Sequence, residues 1–173
     1  PAWGIGKGDV LRGQFERDLL ENSPDEATLK SLMNQASPGF ILNHVIPSSA
    51  QILLIGSANP FHFNMGSLNE PRILYSTVWT RGPLEDIIAQ GGSPERWVNM
   101  LREQGITHVF ISPGMLGRWS QSGWLADELS ENNIRSLMKI LTPAHRFANG
   151  SGLFLIPPPR NLDAPIDLKL ESP

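Results

Sequence analysis

Few side chains in this sequence have the type and spacing that chemistry requires, and most of them have a plain structural reading. The four histidines, His44, His62, His108 and His145, lie far apart in no ligand spacing, and there is no cysteine. A metal centre is therefore not expected. No G-x-S-x-G elbow occurs, and the serines fall mostly in expected helix caps and loops. Glu85, Asp86, Glu95, Asp127 and Glu128 stand at the beginnings of expected helices, where the positive end of the helix dipole accounts for acids without catalysis. The expectation is a chain with no catalytic residue of its own.

Two glycine-bearing stretches are the places to look for a nucleotide cofactor. A dinucleotide fingerprint needs G-x-G-x-x-G, so that the backbone can turn, approach the pyrophosphate and open a helix beneath it. "ILLIGSANPFHF", residues 52–63, has a single glycine, and Pro60, Phe61 and Phe63 follow where that helix should start. "GIGKGD", residues 4–9, sets a lysine among glycines but lacks the preceding strand, the spacing and the hydroxyl of a phosphate loop. No cofactor is expected. Gly56 is read as relieving the chain at a strand end, and residues 1–9 as a linker.

What remains is binding. Loops at the carboxyl ends of parallel strands are where α/β domains place ligands. Asn59 and His62 lie after the first expected strand, and Arg81 lies behind the second. Ser112, Arg118 and Trp119 belong to "SPGMLGRW", read as a loop after the third. An arginine beside an aromatic suits a sugar or a phosphate, and equally an exposed packing edge.

The elements that must position these residues follow from periodicity and punctuation. Helices are expected over "DVLRGQFERDLLEN" and after Ser23-Pro24, with Pro38 interrupting and "FILNHVI" resuming a turn or two. "QILLI" is apolar on both faces and so reads as a central strand. "RILYSTVW" reads as a second strand, "PLEDIIAQ" as a short helix and "SPERWVNMLREQG" as a well-capped one; "ITHVFIS" is the third strand. "LADELSENNIRSLMKIL" is expected to be one helix stopped by Pro143, and "HRFANG" with "GLFLIPP" a closing hairpin around Asn149-Gly150. His108 reads as a core or edge histidine, and the core should hold Leu53, Ile55, Trp97, Met100, Leu101, Val109, Ile111, Leu137 and Leu155. The expected architecture is a three-layer, Rossmann-like α/β domain over residues 10–157, with a mostly parallel sheet and an antiparallel C-terminal edge hairpin, followed by an extended tail over 158–173.

Composition bounds the partners. A chain of 173 residues with 40% hydrophobic and 18% charged residues folds around a core. Its net charge of −3, from 14 basic and 17 acidic residues, leaves no basic footprint for nucleic acid. No apolar run approaches the roughly 20 residues that span a bilayer. The chain opens at Pro1 without an initiator methionine, which is expected of a fragment or a processed form.

Read in order, "LRGQFERDLL", "VIPSSAQILLIGSANPFHF", "ILYSTVWTRGPLEDII", "SPERWVNMLREQGITHVFIS" and the closing "GLFLIPP" resemble a known domain. It is the soluble carboxyl-terminal domain of bacterial multi-spanning membrane proteins of the polyprenyl-phosphate-sugar-dependent glycosyltransferase, protein mannosyltransferase-like, superfamily. The resemblance covers roughly residues 10–157, and its most specific phrase is L-x-x-x-G-I-T-H-V, from Leu101 to Val109. It implies that catalysis belongs to acidic loops of a membrane-spanning part, so no catalytic residue carries over to this sequence. It also implies a place on the extracytoplasmic, periplasmic face of the cytoplasmic membrane, with the transmembrane part of the same chain as partner and a glycan or lipid-linked sugar as ligand. The role implied is that of a non-catalytic accessory domain aiding acceptor binding or assembly. The alternative is a free-standing α/β module that binds a small sugar or an anionic ligand.

Overall fold

The computed structural model describes residues 37–44, 46–47, 49–57 and 72–159. The two N-terminal helices, the linker, Asn59, His62 and most of the tail lie outside the described residues. "QILLI" forms β1, Gln51–Ile55, and its four last residues are buried. It pairs in parallel with β2, Arg72–Tyr75, on one side and with β3, His108–Ile111, on the other. Beyond β3 lie the antiparallel strands β5, Gly152–Leu155, and β4, Thr142–Arg146. The order is β2-β1-β3-β5-β4, a five-stranded mixed sheet. The antiparallel edge is where the Asn149-Gly150 turn places it, but only two of the four pairings are parallel, so the sheet is more evenly mixed than the sequence suggests.

Strand geometry sends alternate side chains of β1 to opposite faces. Leu53 and Ile55 join Val109, Ile111 and Phe154 in one apolar cluster, while Ile52 and Leu54 join Phe110, Leu153 and Phe147 in another. The helix α1, Pro38–His44, covers the second cluster with Ile41 and Leu42. The first is covered by α2, Pro83–Ala89; α3, Pro94–Glu103; α4, Pro113–Gln121; and α5, Glu131–Ile140.

The best-signed helix behaves as its sequence dictates. Ser93 caps α3 by accepting a hydrogen bond from the Arg96 backbone N–H, Pro94 takes the first position, and Trp97, Val98 and Leu101 face the core. Its end is tied down twice. Ile106 N–H donates to the Leu101 carbonyl, and Arg102 donates through Nε and Nη2 to the Pro157 carbonyl at 3.1 and 2.6 Å. The register of β3 against β1 is fixed where the strands begin: Thr107 N–H donates to the Gln51 carbonyl, and Gln51 N–H to Thr107 Oγ1. His108 is half-buried with Nδ1 2.7 Å from Thr107 Oγ1, and burial holds its pKa below the ordinary imidazole value.

Five expectations need correction. The strand expected through Trp79 stops at Tyr75, because Thr77–Thr80 closes a turn of its own. "SPGMLGRW" is not a loop but most of α4: Pro113 is a favourable first residue, and Leu116 and Trp119, three apart, give it a buried stripe. The long helix expected from Leu125 is broken at Ser130 into a 3₁₀ turn, Asp127–Leu129, and α5. β4 begins at Thr142 rather than His145 and includes Pro143, which an outermost strand tolerates and a central one does not. Finally, Leu155 is 38% exposed. It is last in β5, opposite Thr142 and His108, and joins neither apolar cluster.

Gly56 is one of the tight points among the described residues. Its φ is +70°, and a Cβ there would stand 2.7 Å from Leu116 Cγ and 2.8 Å from the Ser112 carbonyl oxygen. The bare glycine lets α4 close on the end of β1, and Ser112 N–H completes the contact by donating to the Ile55 carbonyl. Gly56→Ala therefore costs at least ~2 kcal/mol from backbone strain and overpacking together. Leu101→Ala, at a fully buried site, costs ~2–5 kcal/mol. Urea unfolding curves of the two variants against the parent check both values.

Candidate ligand-binding site

A cavity of about 540 Å³ opens beside the carboxyl end of β2, between the turn leading into α2 and the end of α4. That volume is within the usual range of small-molecule sites, roughly 300–1,000 Å³. Its first wall is the Thr77–Thr80 turn. Thr77 and Thr80 exchange backbone hydrogen bonds, each 3.2 Å, and their hydroxyls lie 2.9 Å apart. Trp79 N–H also donates to Thr77 Oγ1. The closed turn presents the Trp79 side chain outward, and the residue is 87% exposed.

The opposite wall comes from the way α4 ends. Gly123 N–H donates to the Ser120 carbonyl and Trp124 N–H to the Trp119 carbonyl, a paired closure that needs a left-handed residue at position 123. Gly123, with φ +69°, supplies it. The reversed chain sets Trp124, 61% exposed, on the same cavity that buried Trp119 lines. Two helix-end and turn closures thus bring two open indoles to one place.

The polar side is unusual. Glu85 lines the cavity yet is only 4% exposed, as is Ser76. The two approach each other across Gly82, where a Cβ would stand 2.9 Å from Ser76 Cβ and 3.0 Å from Glu85 Oε2. No described residue hydrogen-bonds the Glu85 carboxyl or the Ser76 hydroxyl. Among the described residues, Trp97 Nε1 and His145 Nε2 are the side-chain polar atoms both sealed from solvent and without a partner. A carboxyl that lines a cavity can accept hydrogen bonds from the hydroxyls of a ligand.

Arg81 holds the walls together. Its Nε donates to Asp86 Oδ1 at 3.0 Å, and its Nη2 donates to Glu128 Oε1 at 2.7 Å and to the Glu85 backbone carbonyl at 3.2 Å. Asn133 Nδ2 donates to the Glu128 carbonyl from α5. The guanidinium thus clasps the β2–α2 turn to the 3₁₀ segment. Hydrogen bonds from Glu128 and then Asp86 raise the Arg81 pKa above its ordinary value, and the bond to Arg81 holds the Glu128 carboxyl below the usual carboxylate range.

Of the residues singled out in the sequence, Arg81 and Trp119 meet at this cavity. Ser112 lies elsewhere, at the start of α4 against Gly56, and Arg118 is exposed on α4 without lining the cavity. Asn59 and His62 lie outside the described residues. Sequence reading missed Trp79, Trp124 and Glu85. A tryptophan between two threonines just before Arg-Gly-Pro is the one local hint, since it favours a presented turn over a buried strand end. A second, wider groove of about 1230 Å³ runs between α4, α5 and the β4–β5 hairpin; its charged groups include the exposed Arg135–Glu131 pair, and no buried carboxyl lines it.

The clasp has a signed pH dependence. Because the Glu128 pKa is lower in the folded state than in the unfolded chain, its contribution is complete above the ordinary carboxylate value of about 4.3 and fades as pH falls through the folded value. The indole signals of Trp79 and Trp124 should therefore move together in acid below about pH 4.3, and Glu128→Gln should abolish that step. Two-dimensional NMR of the indole N–H groups reads it directly. Comparison with known protein families, with curated proteins and with solved structures finds no match for this chain.

Proposed function

We propose that this chain is a non-catalytic binding domain, the soluble accessory domain of a membrane glycosyltransferase-like protein, standing on the extracytoplasmic face beside the transmembrane part of its own chain. The observation that carries the non-catalytic reading is the lining of the cavity: among the described residues Glu85 is its one carboxyl, and no histidine or lysine joins it. Glycoside chemistry by acid and base takes two carboxyl groups facing one bond. Asp86 and Glu128 are engaged by Arg81. Such a cavity is suited to holding a ligand and has no means of breaking one.

Two further points support the accessory-domain reading. The phrases that resemble the glycosyltransferase-like superfamily fall on the framework, where "SPERWVNMLREQGITHVFIS" contains α3 and β3 and "GLFLIPP" contains β5, and also on one cavity wall, since "ILYSTVWTRGPLEDII" contains residues 76–81 and Glu85. Apolar clusters on both faces of the sheet also favour the three-layer, Rossmann-like plan. No helix among the described residues is long and apolar enough to cross a membrane, so anchoring on this reading falls to other parts of the protein.

The purified chain should neither transfer nor hydrolyse sugar from a polyprenyl-phosphate donor, measured by product release from a radiolabelled donor; turnover would overturn the proposal. The reading frame upstream of Pro1 separates attached from free-standing forms, since several spans of about 20 apolar residues belong only to the former.

A further inference from the structure

We infer that the cavity beside β2 binds a neutral pyranose ring, packed against Trp79 and Trp124 with its hydroxyls donating to the Glu85 carboxyl. This rests on reading the chain as a binding domain and names the ligand that the domain holds. Three large apolar residues are exposed among the described residues, and two of them, Trp79 and Trp124, line this one cavity. Indoles left in water at one site mark a surface meant to be covered.

The chemistry of the cover follows from its surroundings. A pyranose has C–H faces, slightly positive, that stack on the negative face of an indole, and a rim of hydroxyls that need acceptors. The cavity supplies both, with open indoles on its walls and the Glu85 carboxyl, from a residue 4% exposed, beside them. Both tryptophans sit on closed backbone, one in the Thr77–Thr80 turn and one at the sealed end of α4, so little ordering is lost on binding.

Charge decides against the other candidates. The charge of Arg81 is already paired with Asp86 and Glu128, so a phosphate or uronate would meet a neutralised cation while facing Glu85. A quaternary ammonium prefers enclosure by several ring faces. Here Trp119 is 8% exposed and only Trp79 and Trp124 are open, in a cavity of about 540 Å³ that far exceeds a trimethylammonium head.

The test uses the full chain labelled with ¹⁵N and titrated with methyl β-glucoside, methyl α-mannoside and methyl β-galactoside, with glucose 6-phosphate and choline as contrasts. At least one neutral glycoside should shift the indole N–H signals of Trp79 and Trp124 with a Kd of about 1 mM, as expected for one ring on a small site. The sealed Trp97 indole should stay still and serves as the internal control. Trp79→Ala and Trp124→Ala, both at exposed positions, should each weaken binding by about tenfold or more, and Glu85→Gln by several-fold. The inference is overturned if no neutral glycoside moves either indole up to about 50 mM, or if glucose 6-phosphate or choline moves them at lower concentration. Silent indoles in a chain without donor turnover would remove the sugar site and leave the binding-domain reading standing. Donor turnover would remove that reading while the indole shifts would still report on the site.

Discussion

Everything in this fold answers to β1. It is flanked by a parallel strand on each side and buried along its last four residues on both faces, so neither its edges nor its faces reach water. Ile52, Leu53, Leu54 and Ile55 are each at most 2% exposed. Burial of such side chains is worth about 1.5–3 kcal/mol apiece, but only if both faces of the sheet are covered. Hence the two apolar clusters: Ile41 and Leu42 of α1 join Ile52 and Leu54, while residues of α2, α3, α4 and α5 join Leu53 and Ile55.

Covering β1 also decides where a ligand can go. In open α/β sheets the crevice lies at the carboxyl ends of the strands where the order reverses, here beside the ends of β1 and β3. Next to Gly56 that space is taken by Leu116 and the Ser112 carbonyl. The helix that closes the core at its first turn builds a site with its last: Leu116 packs on the strand end, Trp119 faces the cavity one turn on, and Gly123 reverses the chain to add Trp124. Ser112 and Arg118 are thus separated from Arg81 by the geometry of one helix, although all stand after neighbouring parallel strands.

The sequence was readable where one force dominates. An apolar run with no polar face means a central strand, and Ser-Pro-Glu before a periodic stripe means a capped helix; β1 and α3 follow both rules. It was unreadable where two local preferences compete. Thr-Val-Trp has high β propensity, yet the hydroxyls of Thr77 and Thr80 close a turn that ends β2 early. Gly114 and Gly117 argue for a loop, yet Pro113 and the Leu116–Trp119 stripe make a helix. Glu85 is the sharpest case. Its place in the first turn of α2 is what a helix dipole favours, and only the tertiary structure reveals that the residue is buried beside a cavity rather than solvated.

Arg81 stands at the cavity, as its place behind a strand suggests, and also has a structural role that tertiary contacts alone reveal. A lone arginine behind a strand suggests an anion site, but its guanidinium is committed to Asp86, Glu128 and the Glu85 carbonyl. The clasp fixes the turn that presents Trp79 relative to the segment that follows Trp124, so it sets the distance between the two indoles. It does so with one positive charge against two negative ones, beside a third acid in the cavity wall. The ion pairs beside the cavity therefore neutralise its arginine, and that is why the ligand proposed for it is uncharged.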